Sequence, residues 1–173
     1  MADVKLLTPK ILQFEGGYVN DPTDRGGATN MGITLKSWQA IGYDKNGDGV
    51  IDESDIKLLS HDDFTIVLKK YFWDKWHADD INSQGIAEIL VDWVWGSWEA
   101  GFKRPQKILG VVPDGLIGSH TIAAINNHPD PQCLFNAIQQ DRLKFIDEII
   151  ADHPEQIRFE KGWKNRILAY QYC

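Results

Sequence analysis

Cysteine is nearly absent from this chain: Cys133 and Cys173 are the two, and neither sits in a metal-ligand or C-x-x-C spacing. A disulfide framework or a thiolate metal site is therefore not implied. Basic charge is also short, with 18 Lys and Arg against 25 Asp and Glu and a formal net charge of -7. Nucleic-acid binding needs a basic face to meet phosphate, so that class of function is set aside, and docking on an anionic membrane surface is disfavoured for the same reason. No apolar run approaches the roughly 18 residues that would cross a bilayer, so membrane insertion is not expected. The opening MADVKLLTPKILQFEGG lacks a basic region followed by an unbroken apolar stretch and does not read as a secretory signal. Internal repeats and low-complexity segments are missing, which argues against an array or a flexible linker.

What is present is an ordinary globular composition, 43% hydrophobic and 25% charged over 173 residues, enough chain for a sizeable core. Seven tryptophans stand out. Most are expected in the core, although flat aromatic faces also suit sugar rings. Apolar spacing is helical almost throughout, with Gly, Pro and Asx clusters as stops. The first helix is expected to end at Gly16 and Gly17, with Glu15 in its last turn and Thr8-Pro9 able to reset its start. Residues 18–34, rich in Gly, Asn, Asp and Pro, predict a loop and a small β-hairpin. A short helix over 35–41 follows, then the acidic segment DKNGDGVIDESD. Ser60 with Asp63 forms a capping box that opens a helix running to about residue 76. The run IAEILVDWVWGSW predicts a buried central helix. A DGLIG turn, a helix capped by Ser119, a long amphipathic helix over about 131–151 and a final helix from 154 or 159 complete the chain.

The chemistry concentrates around Glu15. Glycosidic cleavage needs one carboxylic acid to protonate the leaving oxygen and a second group to stabilise or attack at the other face of the sugar. A glutamate in the last turn of a helix feels the negative end of the macrodipole, and aromatic neighbours such as Phe14 and Tyr18 add desolvation, so an elevated pKa is expected. The following Gly-Gly lets the backbone leave the helix sharply and lets a polysaccharide approach. Asp24, on the next loop, can then face Glu15.

The run EGGYVNDPTDRGGATNMGIT resembles the N-terminal signature of glycoside hydrolase family 108, whose members are lysozyme-like N-acetylmuramidases with the catalytic glutamate in the Glu-Gly-Gly step. The resemblance implies Glu15 as general acid, with Asp24 and Thr29 positioning the attacking water, Tyr18 at the substrate, and Asp21 as a competitor for the second carboxylate. VVPDGLIGSHTIAAI and FEKGWKNRI are similar to the predicted peptidoglycan-binding region that accompanies this segment, on Asp114, Gly115, Gly118, Thr121, Phe159, Gly162, Trp163 and Arg166. Asp114-Gly115 and Ser119 or Thr121 are equally good turn and cap signals. Trp163 and, more weakly, Arg166 are candidate substrate contacts there. Asp92 of the central helix matches the family and joins the substrate-binding set, whereas Gly96, Ser97 and Trp98 replace an Asn-Ser-Gly-like step.

The segment DKNGDGVIDESD fits a calcium-loop template, with Asp44, Asn46, Asp48, the Val50 carbonyl, Asp52 and Asp55 as ligands and Gly49 for the turn. Position twelve is Asp rather than Glu, as in dockerin-type loops. Five acids within twelve residues repel one another until a cation neutralises them, so calcium is expected as a structural ion that stabilises the following helix, outside the chemistry.

Together these features predict a mainly α, lysozyme-like helical domain with a small β-hairpin and an EF-hand-like loop. Residues 1–90 would form the catalytic lobe, with the loop at 44–55, and residues 91–173 a peptidoglycan-binding-like lobe, packed as one compact unit and monomeric. The expected activity is hydrolysis of the β-1,4 bond between N-acetylmuramic acid and N-acetylglucosamine in peptidoglycan glycan strands. The alternatives are a catalytically inactive wall-binding or secretion-assisting protein of the same fold, and a dockerin-type calcium-dependent module. The protein would be made in the cytoplasm and reach the wall, in the periplasm or outside, by release or non-classical export.

Overall fold

Helix α1 (Val4–Leu12) presents Val4, Leu7, Thr8 and Ile11 to the interior, one face at helical spacing. It starts before Pro9 rather than at it, and carries that proline in its interior. The computed structural model describes residues 1–20 and 28–173. Contacts divide the chain into two compact units, Val4–Tyr71 and Met1–Asp3 with Phe72–Cys173. This division falls earlier than the expected one at 90/91, because the central helix shares its apolar surface with the helices that follow it.

In the first unit, β1 (Thr29–Asn30) and β2 (Ile33–Thr34) pair antiparallel, Thr29 with Thr34 and Asn30 with Ile33. The hairpin turns through Met31 (φ 52°) and Gly32 (φ 78°), two successive left-handed residues. Such turns match the twist of the strands they join. Thr34 caps α2 (Leu35–Ile41) by accepting the Ser37 amide, and Trp38 of α2 is fully buried. After the acidic loop come α3 (Glu53–Lys57) and α4 (His61–Leu68). The Ser60/Asp63 capping box of α4 is present as expected. Helix α4 packs on α1, where Thr8 and Thr65 hydroxyls meet at 2.9 Å.

The helical path continues beyond α4, but widens into a π-helical turn (Lys69–Trp73) and tightens into a 3-10 turn (Asp74–Trp76). The second unit is built around α5 (Gln84–Ser97), opened by Ser83, whose residues 85–94 are all buried. Helix α5 packs against α6 (Glu99–Ile108) and α8 (Pro131–Asp152). The first two approach closely because Gly101 has no side chain: a Cβ there would stand 2.6 Å from the Val94 nitrogen. α6 was not expected from the sequence; its Gly101 and Pro105 read as breakers. Helix α7 (Ser119–Asn126) is preceded by Gly118 as N-cap, so Ser119 is its first residue rather than its cap. Asp130 caps α8, with Pro131 at its first position, and α9 (Ile157–Leu168) lies on α8. Among the described residues no helix is long and apolar enough to cross a membrane.

Candidate functional site

Glu15 stands just past α1 rather than within it. The ladder tightens at the helix end: the Phe14 amide donates to Ile11 and the Glu15 amide to Leu12, both i to i-3 bonds. The carboxylate-bearing residue is therefore carried on a last 3-10 turn, half-buried, between the exposed side chains of Phe14 and Gln13 and the exposed Gly16 and Gly17. Among the described residues, neither Gly16 nor Gly17 would meet a neighbouring atom if it carried a Cβ.

The chain leaving Glu15 is quickly pinned. Val19 and Thr29 exchange two backbone hydrogen bonds, at 2.7 and 2.8 Å, forming an antiparallel bridge that adds Val19 to the hairpin. Thr29 thus lies opposite a residue four positions after Glu15. Asp24 and Asp21 lie outside the described residues, as do Gly26 and Gly27.

Helix α3 braces this corner from the acidic loop. The Asn20 amide donates to Glu53 Oε2 at 2.9 Å, Lys57 Nζ stands 5.2 Å from the centre of the Tyr18 ring, and the buried Asn30 side chain donates to the Ile56 carbonyl at 2.9 Å. Tyr18 is otherwise exposed.

The loop itself folds its acids onto its own amides. Asp44 accepts from Gly47 and Gly49, each at 2.6 Å, Asp48 accepts from Val50, and Asn46 Oδ1 accepts from Asp48. Gly47 (φ 80°) and Gly49 (φ 89°) supply the left-handed turns. Asp52 caps α3, and the fully buried Asp55 accepts the amides of Lys45, Asn46 and Asp52. Bonds from Ser54 hold the Asp52 carboxyl below its ordinary pKa; those from the Asp52 amide and then Lys45 and Asn46 do the same for Asp55. Among the described residues no three His, Cys, Asp or Glu side chains converge on one point as a metal-holding group. Nearby Asp63 is buried against Lys45 Nζ (2.5 Å), Tyr43 and Ser60. Burial opposes its charge, but these partners outweigh burial and hold its pKa down.

Asp92 departs from expectation. It is fully buried, and its oxygens accept from Arg142 Nη2 (2.9 Å) and Arg166 Nη2 (2.7 Å) and Nε (3.0 Å). Burial disfavours the carboxylate, yet the two guanidiniums more than offset it and keep the pKa low. Asp92 ties α5 to α8 and α9, and with Arg142 and Arg166 it borders the cavity that Trp163 lines. Arg166, its partner, is likewise committed to this triad. The Tyr170 hydroxyl lies buried beside it, and burial followed by the Asp92 charge pushes its pKa up.

Trp163 is half-buried, stacked on Phe159 at 5.6 Å, and lines a cavity of about 340 Å³ with Ser97, Gln156 and Arg166. Lys164 is paired with Asp147 and Glu160. Asp114 and Gly115 act as structure: Asp114 Oδ1 accepts from the Leu116 amide and from buried Gln106, and Gly115 (φ 81°) donates to Gln106.

A mainly helical chain with one small two-stranded hairpin fits a lysozyme-like fold. The profile described as "Glycosyl hydrolase 108" matches residues 8–97, and one described as "Predicted Peptidoglycan domain" matches residues 100–168. The chain belongs to glycosyl hydrolase family 108 and is a peptidoglycan hydrolase. It is also similar to a solved structure, SagA of Brucella abortus, at 28% identity and a TM-score of 0.66, covering 96% of this chain and 94% of that one. No curated protein matches it. The two profiles meet at 97–100, so α5 belongs with the first by sequence and with the second unit by packing.

Proposed function

We propose that the protein is an N-acetylmuramidase that cleaves the β-1,4 bond between N-acetylmuramic acid and N-acetylglucosamine, with Glu15 as general acid. The observation that carries this reading is the position of Glu15: on the tightened end of α1, followed by Gly16 and Gly17 that no described atom crowds, with the chain four residues on bridged to Thr29. Glu15 donates a proton to the leaving oxygen; Asp24, with Thr29, supports the attacking water or the cationic transition state. Tyr18, exposed at the same corner, offers a face to the sugar. The glycan is reached in the periplasm or outside the cell, after release or non-classical export of a monomer.

Calcium belongs to the same proposal as a structural ion. The alternating Asp44, Asn46 and Asp48 and the two left-handed glycines favour wrapping a hard cation, which the Val50 carbonyl, Asp52 and Asp55 would complete. Because α3 follows directly and holds Asn20, Tyr18 and Asn30, a stiffer loop steadies the segment after Glu15. Chelation is expected to lower the melting temperature; unchanged melting with and without calcium removes the ion from the account.

Wall clearing tests the enzyme. Wild type is expected to clear purified peptidoglycan and release reducing muramic acid ends, and Glu15→Gln to do neither. Equal clearing by both removes Glu15 from the chemistry, and clearing by neither leaves the wall-binding reading in its place.

A further inference from the structure

Two costs meet at Trp98. The residue turns α5 into α6 with φ 31° and ψ -99°, a left-handed backbone that side-chain-bearing residues rarely adopt. Its indole is 52% exposed. A glycine would make the same corner without either penalty. His77 (φ 47°) is another strained residue of this unit, and both line a single groove of about 700 Å³.

The indole is supported from behind. It meets Phe72 edge-on at 5.8 Å and Phe102 edge-on at 5.6 Å; Phe72 rests on Trp95, and Phe102 stacks on buried Trp76. Such a cluster fixes the ring while leaving half of it in solvent, as a binding platform requires.

The groove walls carry charges of both signs, Asp74, Lys103 and Asp114 among them. Lys103 is ion-paired with Glu99 and Asp114 is fixed by its own turn, so neither strongly selects an ionic ligand. Fixed carboxylates and ammonium groups around an aromatic face suit a neutral ligand with an apolar face and a polar rim, the description of an N-acetylated pyranose. The wall from Phe102 to Leu116 falls inside the segment that matches the peptidoglycan domain.

We propose that this groove is a second glycan-binding site, in which the Trp98 face stacks on an N-acetyl sugar of the strand and Asp74 and Asp114 accept from its hydroxyl or amide groups. It lies in the other unit from Glu15, and Trp98 and Asp74 stood in no substrate expectation. The proposal rests on peptidoglycan glycan as substrate, and its test is independent of cleavage.

Protein carrying Glu15→Gln, which should leave the glycan intact, is titrated with the tetramer of N-acetylglucosamine. The Trp98 indole N–H signal, assigned by its loss in Trp98→Phe, is followed by NMR. It is expected to shift and saturate. Affinity should fall roughly tenfold or more in Trp98→Gly, in the range of a binding hot spot, and less in Trp98→Phe. Trp98→Gly relaxes the left-handed strain and should remain folded; if it does not, the Trp98 shift and the weakened Trp98→Phe decide. A Trp98 signal that stays still, equal affinity in the substituted proteins, or a shift produced by peptidoglycan stem peptide and not by the tetramer overturns the assignment. Failure of the Glu15 role would appear separately, as wall clearing by Glu15→Gln.

Discussion

The Val4–Tyr71 unit and the unit completed by Phe72–Cys173 are held together by different means. In the first, short helices and a two-residue-strand hairpin are fastened by side chains bonded to nearby backbone: Thr34 and Ser60 at helix starts, Asp44, Asp52 and Asp55 around the loop. In the second, a helix buried from residue 85 to 94 meets long neighbours, and a buried carboxylate joins three helices through two arginines. Glu15, the proposed general acid, belongs to the first kind of region. An irregular segment can aim a side chain into open space, whereas a packed helix interior cannot; the second unit is accordingly suited to holding and presenting.

This contrast predicts different responses to substitution. The largest effect is expected at Glu15: Glu15→Gln should reduce peptidoglycan turnover by about 10²- to 10⁴-fold with little change in melting, as loss of an acid catalyst does. Melting that falls along with activity would mean that Glu15 serves the fold of its unit.

Asp92→Ala should do the reverse. It strands two arginines, one buried and one nearly so, and is expected to cost about 3–5 kcal/mol, read by denaturant unfolding. Because the folded pKa of Asp92 is depressed, its contribution is fully present above about pH 4, the ordinary range of an unfolded Asp, and is lost as pH falls through the lower folded value. Melts taken downward from neutral pH should therefore show stability declining in that acid window. If Asp92→Ala melts like the parent, the triad does not hold the second unit.

Gly101→Ala should destabilise by roughly 1–3 kcal/mol, since its Cβ would press on Trp93 and Val94 backbone and overpacking is relieved only by moving a helix. Thermal melting checks it, and a neutral result would loosen the close α5/α6 contact. The smallest effect is expected in the first unit, where Ser60→Ala removes one cap and should cost about 1 kcal/mol.

Legibility followed the range of the forces involved. The Ser60/Asp63 box, the start of α8 near Pro131 and the buried stretch of α5 were readable because each depends on residues within a few positions. Helix α6 was not, since Gly101 and Pro105 look like breakers until α5 is packed against them. Asp92 joined the substrate-binding set on its match to the family pattern, and nothing local announced that Arg142 and Arg166, 50 and 74 residues away, would enclose it. Trp98 passed as a departure from the family pattern, though a tryptophan directly after Gly-Ser at a helix end was a signal that could have been followed.

By itself the sequence determined the helical class, the hairpin and the family, because periodicity, caps and turn residues act over a few bonds and the Glu-Gly-Gly signature is continuous. Only tertiary structure decided that Asp92 is a buried strut, that Trp98 stands exposed over a groove, and that the loop acids bend onto their own amides. Burial and pairing depend on which distant segments meet, and those meetings set whether a carboxylate or an indole faces solvent or its own protein.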